Sequence, residues 1–113
     1  MNQCILTGRL VSNARTNGNG KRTLRFTLLT KYGYDTEQKK ERVALVPCVF
    51  FDPPEKLEPI LADKGKGILV EFSGRVQQSS YQKDGVDCYE TSVIVDNRTF
   101  TLLASPKESK PKS

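Results

Sequence analysis

A length of 113 residues leaves room for one folded domain and no second, and a hydrophobic fraction of 36% is low but sufficient to fill one small core. Eighteen Lys and Arg against thirteen Asp and Glu give a net charge of +5, the balance of a basic, soluble chain. There is no histidine, which removes the commonest general base and metal ligand, and the three cysteines (Cys4, Cys48, Cys88) include no Cys-x-x-Cys pair, so catalytic triads, histidine metal centres and a zinc site are excluded.

Runs of β-branched and aromatic residues alternating with period two dominate, and the class is mainly β. A first strand is expected from Gln3 to Val11, with Cys4, Leu6 and Leu10 on one face and Ile5, Thr7 and Arg9 on the other. Gly8 falls on the first face, where a missing side chain admits a sharp bend or a close backbone neighbour. Asn17-Gly18-Asn19-Gly20 tolerates positive φ and predicts a hairpin into a second strand, Arg22 to Lys31. In that strand Leu24, Phe26 and Leu28 point inward, leaving Thr23, Arg25, Thr27, Leu29 and Lys31 on a partly basic outer row. Tyr32-Gly33-Tyr34-Asp35 and the stretch Thr36 to Glu41 read as a polar connection. A third strand is expected from Arg42 to Phe51. Its run Val43-Ala44-Leu45-Val46 is apolar on both faces, so alternation leaves the sides unassigned, and Pro47, lacking an N–H, marks an edge or a bulge.

Asp52-Pro53-Pro54-Glu55 has the look of a helix opening, with Asp52 as N-cap and Pro early in the first turn. Leu57, Ile60 and Leu61 follow at helical spacing, predicting a short helix from Pro54 to Asp63 that Pro59 limits and Gly65 ends. A fourth strand is expected from Gly67 to Gln78, with Val70, Phe72 and Val76 on one face and Leu69, Glu71, Ser73 and Arg75 on the other. Ser79 to Asp87, tipped by Asp84-Gly85 and carrying Tyr81, forms an extended hairpin arm into a fifth strand, Cys88 to Asp96, and Thr99 to Leu103 can add a short final strand.

Ser105 to Ser113 holds no apolar residue and is expected to be a short basic disordered tail, which places the domain at residues 1–104. Within it, residues 1–42 carry net +6 and residues 43–104 net −3, the signature of one cationic flank, although a solvated charge run gives the same figures. Three strands, a helix and two strands is the order of the five-stranded oligonucleotide-binding barrel, with its one short helix between strands three and four and here an extended hairpin between strands four and five. A small sandwich of equal strand count satisfies the same periodicity.

Four segments carry a resemblance to a known family. Asn2-Gln3-Cys4-Ile5-Leu6-Thr7-Gly8-Arg9-Leu10 resembles the opening strand of bacterial single-stranded DNA-binding proteins, and Pro47-Cys48-Val49-Phe50-Phe51 is similar to their third strand. Lys66-Gly67-Ile68-Leu69-Val70-Glu71-Phe72-Ser73-Gly74-Arg75-Val76 is similar to their fourth strand. Tyr81-Gln82-Lys83-Asp84-Gly85 with Tyr89-Glu90-Thr91-Ser92-Val93-Ile94-Val95 resembles their aromatic-tipped arm and fifth strand. The resemblance spans residues 2 to about 104 and implies single-stranded DNA as partner, bound with little sequence preference in replication, recombination or repair.

Such binding needs rings on which unpaired bases stack and cations that neutralise phosphates. The resemblance puts the stacking positions on Tyr34, Phe51 and Tyr81, with Tyr32 as the alternative to Tyr34. Arg25 and Lys31 share the outer row of the second strand, Arg9 and Arg22 flank it, and Lys83 lies in the arm; as a group they are candidate phosphate contacts, though each alone reads equally well as an ordinary surface charge. Phe26, Phe72 and Phe100 alternate with inward aliphatics and belong to the core.

Two departures from the family matter. A third-strand position often occupied by Trp is Leu45 and the chain has no Trp, so stacking area and affinity are expected to be modest. The family's long tail with an acidic, apolar tip has no counterpart in Lys110-Pro111-Lys112-Ser113, which leaves open any docking of replication or repair proteins. The rival is a primosome- or conjugation-type accessory of the same fold whose main role is docking protein partners. A carboxylate-and-metal nuclease does not fit, because Asp52, Glu55, Glu58 and Asp63 read as charges about a helix. No catalysis, metal or cofactor is therefore expected. Edges on the first and fifth strands predict a homo-oligomer, a tetramer by the resemblance and alternatively a dimer. No stretch nears ~20 apolar residues and the N-terminus has no signal-peptide pattern, so the expectation is a protein of the bacterial cytoplasm or nucleoid with no membrane partner.

Overall fold

The computed structural model describes residues 1–16 and 23–105. Among them the order of elements is β1 (Cys4–Leu10), β2 (Arg15–Thr16), β3 (Thr23–Asp35), β4 (Lys40–Phe51), α1 (Leu57–Lys64), β5 (Leu69–Lys83), β6 (Val86–Val95) and β7 (Thr101–Ala104). Pairing runs β1-β3-β4-β6-β5 and returns from β5 to β1, which closes a five-stranded barrel; β2 adds to β3 and β7 to β5. This is the oligonucleotide-binding barrel that the element order predicts. The expected turn at residues 17–20, Arg22, and the tail beyond residue 105 lie outside the described residues.

Alternation sets the inside of the barrel. Leu10, Leu24, Phe26, Leu28, Cys48, Phe50, Val70, Phe72, Val93 and Val95 are buried, while their odd-phase neighbours Ile5, Val43, Leu45 and Phe51 are exposed. Burying each large aliphatic or aromatic side chain contributes roughly 1.5–3 kcal/mol. Phe100, half-buried, closes one end by packing on Phe26, Phe50 and Phe72 with ring centroids 6.3, 4.8 and 5.8 Å away, so the three core phenylalanines expected from the sequence do meet. The apolar run of β4 also resolves: Ala44 and Val46 take the inner phase and Val43 and Leu45 the outer.

β1 serves two neighbours. It pairs with β5 from Cys4 to Arg9 and with β3 only at Arg9 and Leu10. At Gly8 a Cβ would strike the Leu29 carbonyl oxygen, so the glycine admits the close approach by which β1 crosses from one neighbour to the other. Where the strand begins, the Asn2 side chain extends the ladder: its Nδ2 donates to the Val76 carbonyl (2.8 Å) and its Oδ1 accepts from the Val76 N–H (2.9 Å).

Several boundaries differ from the sequence-based expectation, each for an identifiable reason. Tyr32-Gly33-Tyr34-Asp35 is not a connection but the end of β3, paired with Lys40–Arg42 and braced by Lys31–Glu41 (3.1 Å) and Arg42–Asp35 (3.7 Å) ion pairs. The connection shrinks to residues 36–39, where Asp35 Oδ1 accepts the Glu37 and Gln38 N–H groups. The hairpin arm expected from the sequence is present, with β5 and β6 paired through the polar residues to Lys83–Val86 and joined by Asp84 and Gly85 at φ 55° and 78°, the positive-φ pair that a two-residue hairpin turn requires; only the strand ends differ, because the ladder runs on through the arm. α1 starts at Leu57 rather than Pro54, because the Pro54 carbonyl first accepts the Leu57 and Glu58 N–H groups in a preceding turn. Asp52 is therefore not the cap. Pro59 sits in the first turn, where its missing N–H would have had no helical partner anyway. Pro47 meets the edge alternative: the β3–β4 register passes it unbroken, and β4 pairs with β6 only from Cys48 onward. No helix among the described residues is long and apolar enough to cross a membrane.

Candidate nucleic-acid interface

The outer row of the β3–β4 sheet is built by direct cross-strand pairs, whose side chains share one side of a sheet. From the barrel outward they are Thr23–Phe51, Arg25–Val49, Thr27–Pro47, Leu29–Leu45 and Lys31–Val43. Thr23 and Val49 are buried; the rest form an exposed or half-exposed strip in which rings, aliphatic groups and cations alternate. Leu45, where an indole would offer the most stacking area, is 61% exposed in the middle of that strip.

Tyr34 reaches this row through an irregularity. Counted in twos from Phe26 and Leu28, it would fall on the inner side, but the ladder steps from Lys31–Val43 to Gly33–Arg42, leaving Tyr32 as an extra, unpaired residue. Such a bulge shifts every later side chain to the other face. Tyr34 then stands opposite Glu41, in the outer phase of β4, and is 57% exposed. Tyr32 is also exposed.

The third ring comes from β5. Tyr81 pairs with Cys88 in the same phase as Arg75–Ile94, and Ile94 pairs with Val49 of the outer row, so Tyr81 (51% exposed) and Phe51 (47%) leave the sheet on the same side. The three rings are not clustered. Phe51 stays on the barrel, beside an open groove of about 640 Å³ that it lines with Arg75, Ile94 and Arg98. Tyr34 and Tyr81 ride on separate arms. β4 and β6 are parallel and pair only at Cys48–Val93 and Val49–Ile94, so both arms leave that junction in the same direction. Glu41 lies seven residues before Cys48, and Cys88 five before Val93, which puts the two tyrosines about 24 and 17 Å along their arms.

The expected cations divide by what already holds them. The Arg25 side chain makes no hydrogen bond or ion pair among the described residues, and neither does that of Lys83 near the tip of the β5–β6 arm. Lys31 is tied to Glu41. Arg9 lies on the outer side beside Leu29, but its guanidinium donates to the Gly67 carbonyl (2.7 Å) and the Ser105 carbonyl (3.3 Å). Arg22 falls outside the described residues. Three residues on these surfaces were not foreseen. Arg15 pairs directly with Arg25 through β2, a strand of two residues that periodicity cannot register. Arg75 faces outward beside Phe51's groove, a position its alternation with Phe72 and Val76 already implied. Tyr89, opposite Ser80, is exposed on the other face of the arm from Tyr81. Arg98 is engaged locally: its backbone N–H and guanidinium hold the Asp96 carboxyl below the usual range.

Among the described residues no group of acids and cysteines is placed to hold a metal ion. The three thiols are unpaired.

The pattern described as the single-strand binding protein family matches residues 1–101. A protein of Clostridium tetani (strain Massachusetts / E88) named single-stranded DNA-binding protein is 32% identical to this chain over 113 positions, which cover 96% of the chain and 76% of that relative.

Proposed function

The chain belongs to the single-strand binding protein family, and from that membership we propose that it binds single-stranded DNA with little sequence preference. Bases stack on Tyr34, Phe51 and Tyr81, and phosphates are neutralised by Arg25, Lys83 and, more weakly, Lys31. The observation that carries this is the placement of three exposed rings on one side of the sheet with unpaired cations beside them. A surface of this kind tolerates any base, because every base has a flat face, and it holds on the order of 4–16 nucleotides per barrel. Covering exposed strands in replication, recombination or repair is the role such binding serves.

Self-association accompanies binding in this proposal. Residues 4–6 of β1 pair with β5 alone, and Ile5 among them is exposed, an open edge that a second copy can extend. Light scattering should then report a particle larger than one chain of 12.7 kDa.

The test of the binding function is a titration with oligothymidine at low salt, followed by tyrosine fluorescence. Quenching that saturates, with an affinity that falls steeply as salt rises, is the expected result. An unchanged signal at the lowest salt that keeps the protein in solution would overturn it.

A further inference from the structure

Arg15 and Arg25 are direct cross-strand partners between β2 and β3, so their side chains leave the same side of the sheet, and both are exposed. Like charges placed opposite each other in a ladder destabilise it unless an anion lies between them. Neither arginine side chain has a hydrogen bond or ion pair among the described residues. Both line a groove of about 240 Å³ beside the point where β4 and β6 part, together with Thr27, Pro47, Glu90 and Ser92; the strand order β2-β3-β4-β6 sets the arginines on one side of β4 and Glu90 and Ser92 on the other. The Glu90 carboxylate is also without a hydrogen bond or ion pair among the described residues.

A groove with two cations on one wall and one carboxylate on the other orients a nucleotide. Guanidinium groups bind phosphate oxygens in forked pairs, whereas a carboxylate repels phosphate and accepts hydrogen bonds from amino groups. We propose that this groove seats one nucleotide, its phosphate between Arg15 and Arg25 and its base edge toward Glu90, and that Glu90 thereby favours bases carrying an exocyclic amine over thymine. This rests on the single-stranded DNA reading above and adds a local preference to it. Cytosine offers its N4 amine to the carboxylate; thymine presents a carbonyl oxygen at the same ring position. Adenine and guanine also carry amines, but the two pyrimidines share ring size, so they isolate the effect of that one substituent.

The experiment compares oligocytidine and oligothymidine deoxynucleotides of equal length at pH 8, by tyrosine fluorescence, on the full chain and on Glu90→Ala. Overall affinity for each homopolymer depends on stacking elsewhere, so the quantity read is the ratio of the two affinities. Glu90→Ala should lower the cytosine-to-thymine ratio by about fivefold and tighten oligothymidine, since a carboxylate no longer faces the thymine carbonyl oxygen. A ratio within twofold of the parent's overturns the proposal. Arg15→Ala and Arg25→Ala should each weaken both oligomers alike and reduce the slope of log affinity against log salt by about one. An unchanged slope for Arg15→Ala likewise overturns it. All three side chains are exposed, and an unaltered thermal midpoint checks the fold of each variant. If the parent binds neither oligomer, the function itself fails; if it binds both and the ratio does not move, only the role of Glu90 fails.

Discussion

Tyr34 stands directly opposite Glu41 across the β3–β4 ladder, and it does so because Tyr32, two residues earlier, is left out of the pairing. The bulge thus divides two neighbouring tyrosines into one that is held in register on the outer row and one that is not. Tyr34→Ala is expected to cost about 1–3 kcal/mol of single-strand affinity, the worth of one stacked base. Deleting Tyr32 gives the sharper control. It leaves Lys31 opposite Val43 and Gly33 opposite Arg42 with nothing between them, so Tyr34 keeps its partner and affinity should change less than about twofold. The reverse ranking in an oligonucleotide titration would make Tyr32 the stacking ring.

Phe50 and Phe51 are adjacent in β4 and face opposite ways, one fully buried against Phe100 and the other nearly half exposed. Truncation should separate folding from binding. Phe50→Ala is expected to destabilise the barrel by about 3–5 kcal/mol in urea unfolding. Phe51→Ala should leave the unfolding midpoint nearly unchanged while weakening DNA binding by about 1–3 kcal/mol. A large loss of stability from Phe51→Ala would assign that ring to the core.

How far the sequence exposes this arrangement depends on whether a feature is written in periodicity. Alternation alone identifies the inward Leu24, Phe26 and Leu28, the core phenylalanines and the outward place of Arg25, because a strand with one buried face repeats every second residue. It fails where pairing replaces hydrophobicity as the organising force. The polar arms are strands because their backbones pair beyond the core: Asp84-Gly85 announces the β5–β6 arm by its turn chemistry, whereas nothing in the side chains of Tyr32 to Asp35 reports that β3 continues through them. The bulge that turns Tyr34 outward and the two-residue β2 that sets Arg15 beside Arg25 are pairing facts of the same kind. The misplaced start of α1 is different: Asp52 and two prolines carry the chemistry of a helix opening, but the Pro54 carbonyl first closes a turn onto Leu57 and Glu58, and the N-cap position falls on Lys56.

Cys48 gives a pH dependence with a definite sign. Burial, reinforced by nearby Cys4, pushes its thiol from an ordinary value of 9.0 up to about 12. Below pH 9 the thiol is neutral in both folded and unfolded chains and its contribution is fully present. Between pH 9 and about 12 the unfolded chain releases the proton and the folded chain retains it, so stability is lost as pH rises, by about 1.4 kcal/mol for each unit. Urea unfolding of the parent should therefore show a steeper alkaline decline than Cys48→Ala, whatever the offset the substitution adds at neutral pH. Parallel declines would mean that the thiol ionises within the fold.

Lys31 and Glu41 form an ion pair of 3.1 Å on the outer row, both side chains more than half exposed. At such exposure the pair adds ~1 kcal/mol or less to stability, yet it places a negative charge on the surface proposed for DNA and occupies a cation that would otherwise meet phosphate. Glu41→Gln removes the charge and frees Lys31 while keeping the shape of the side chain under Tyr34. Affinity for oligothymidine should rise by up to about fivefold at low salt, and the slope of log affinity against log salt should steepen toward one further released counterion. Lys31→Ala made in the Glu41→Gln background should cancel most of that gain, because the gain depends on the liberated ammonium group. If the two changes act independently, Lys31 does not touch the strand, and the phosphate path lies nearer the barrel, along Arg25.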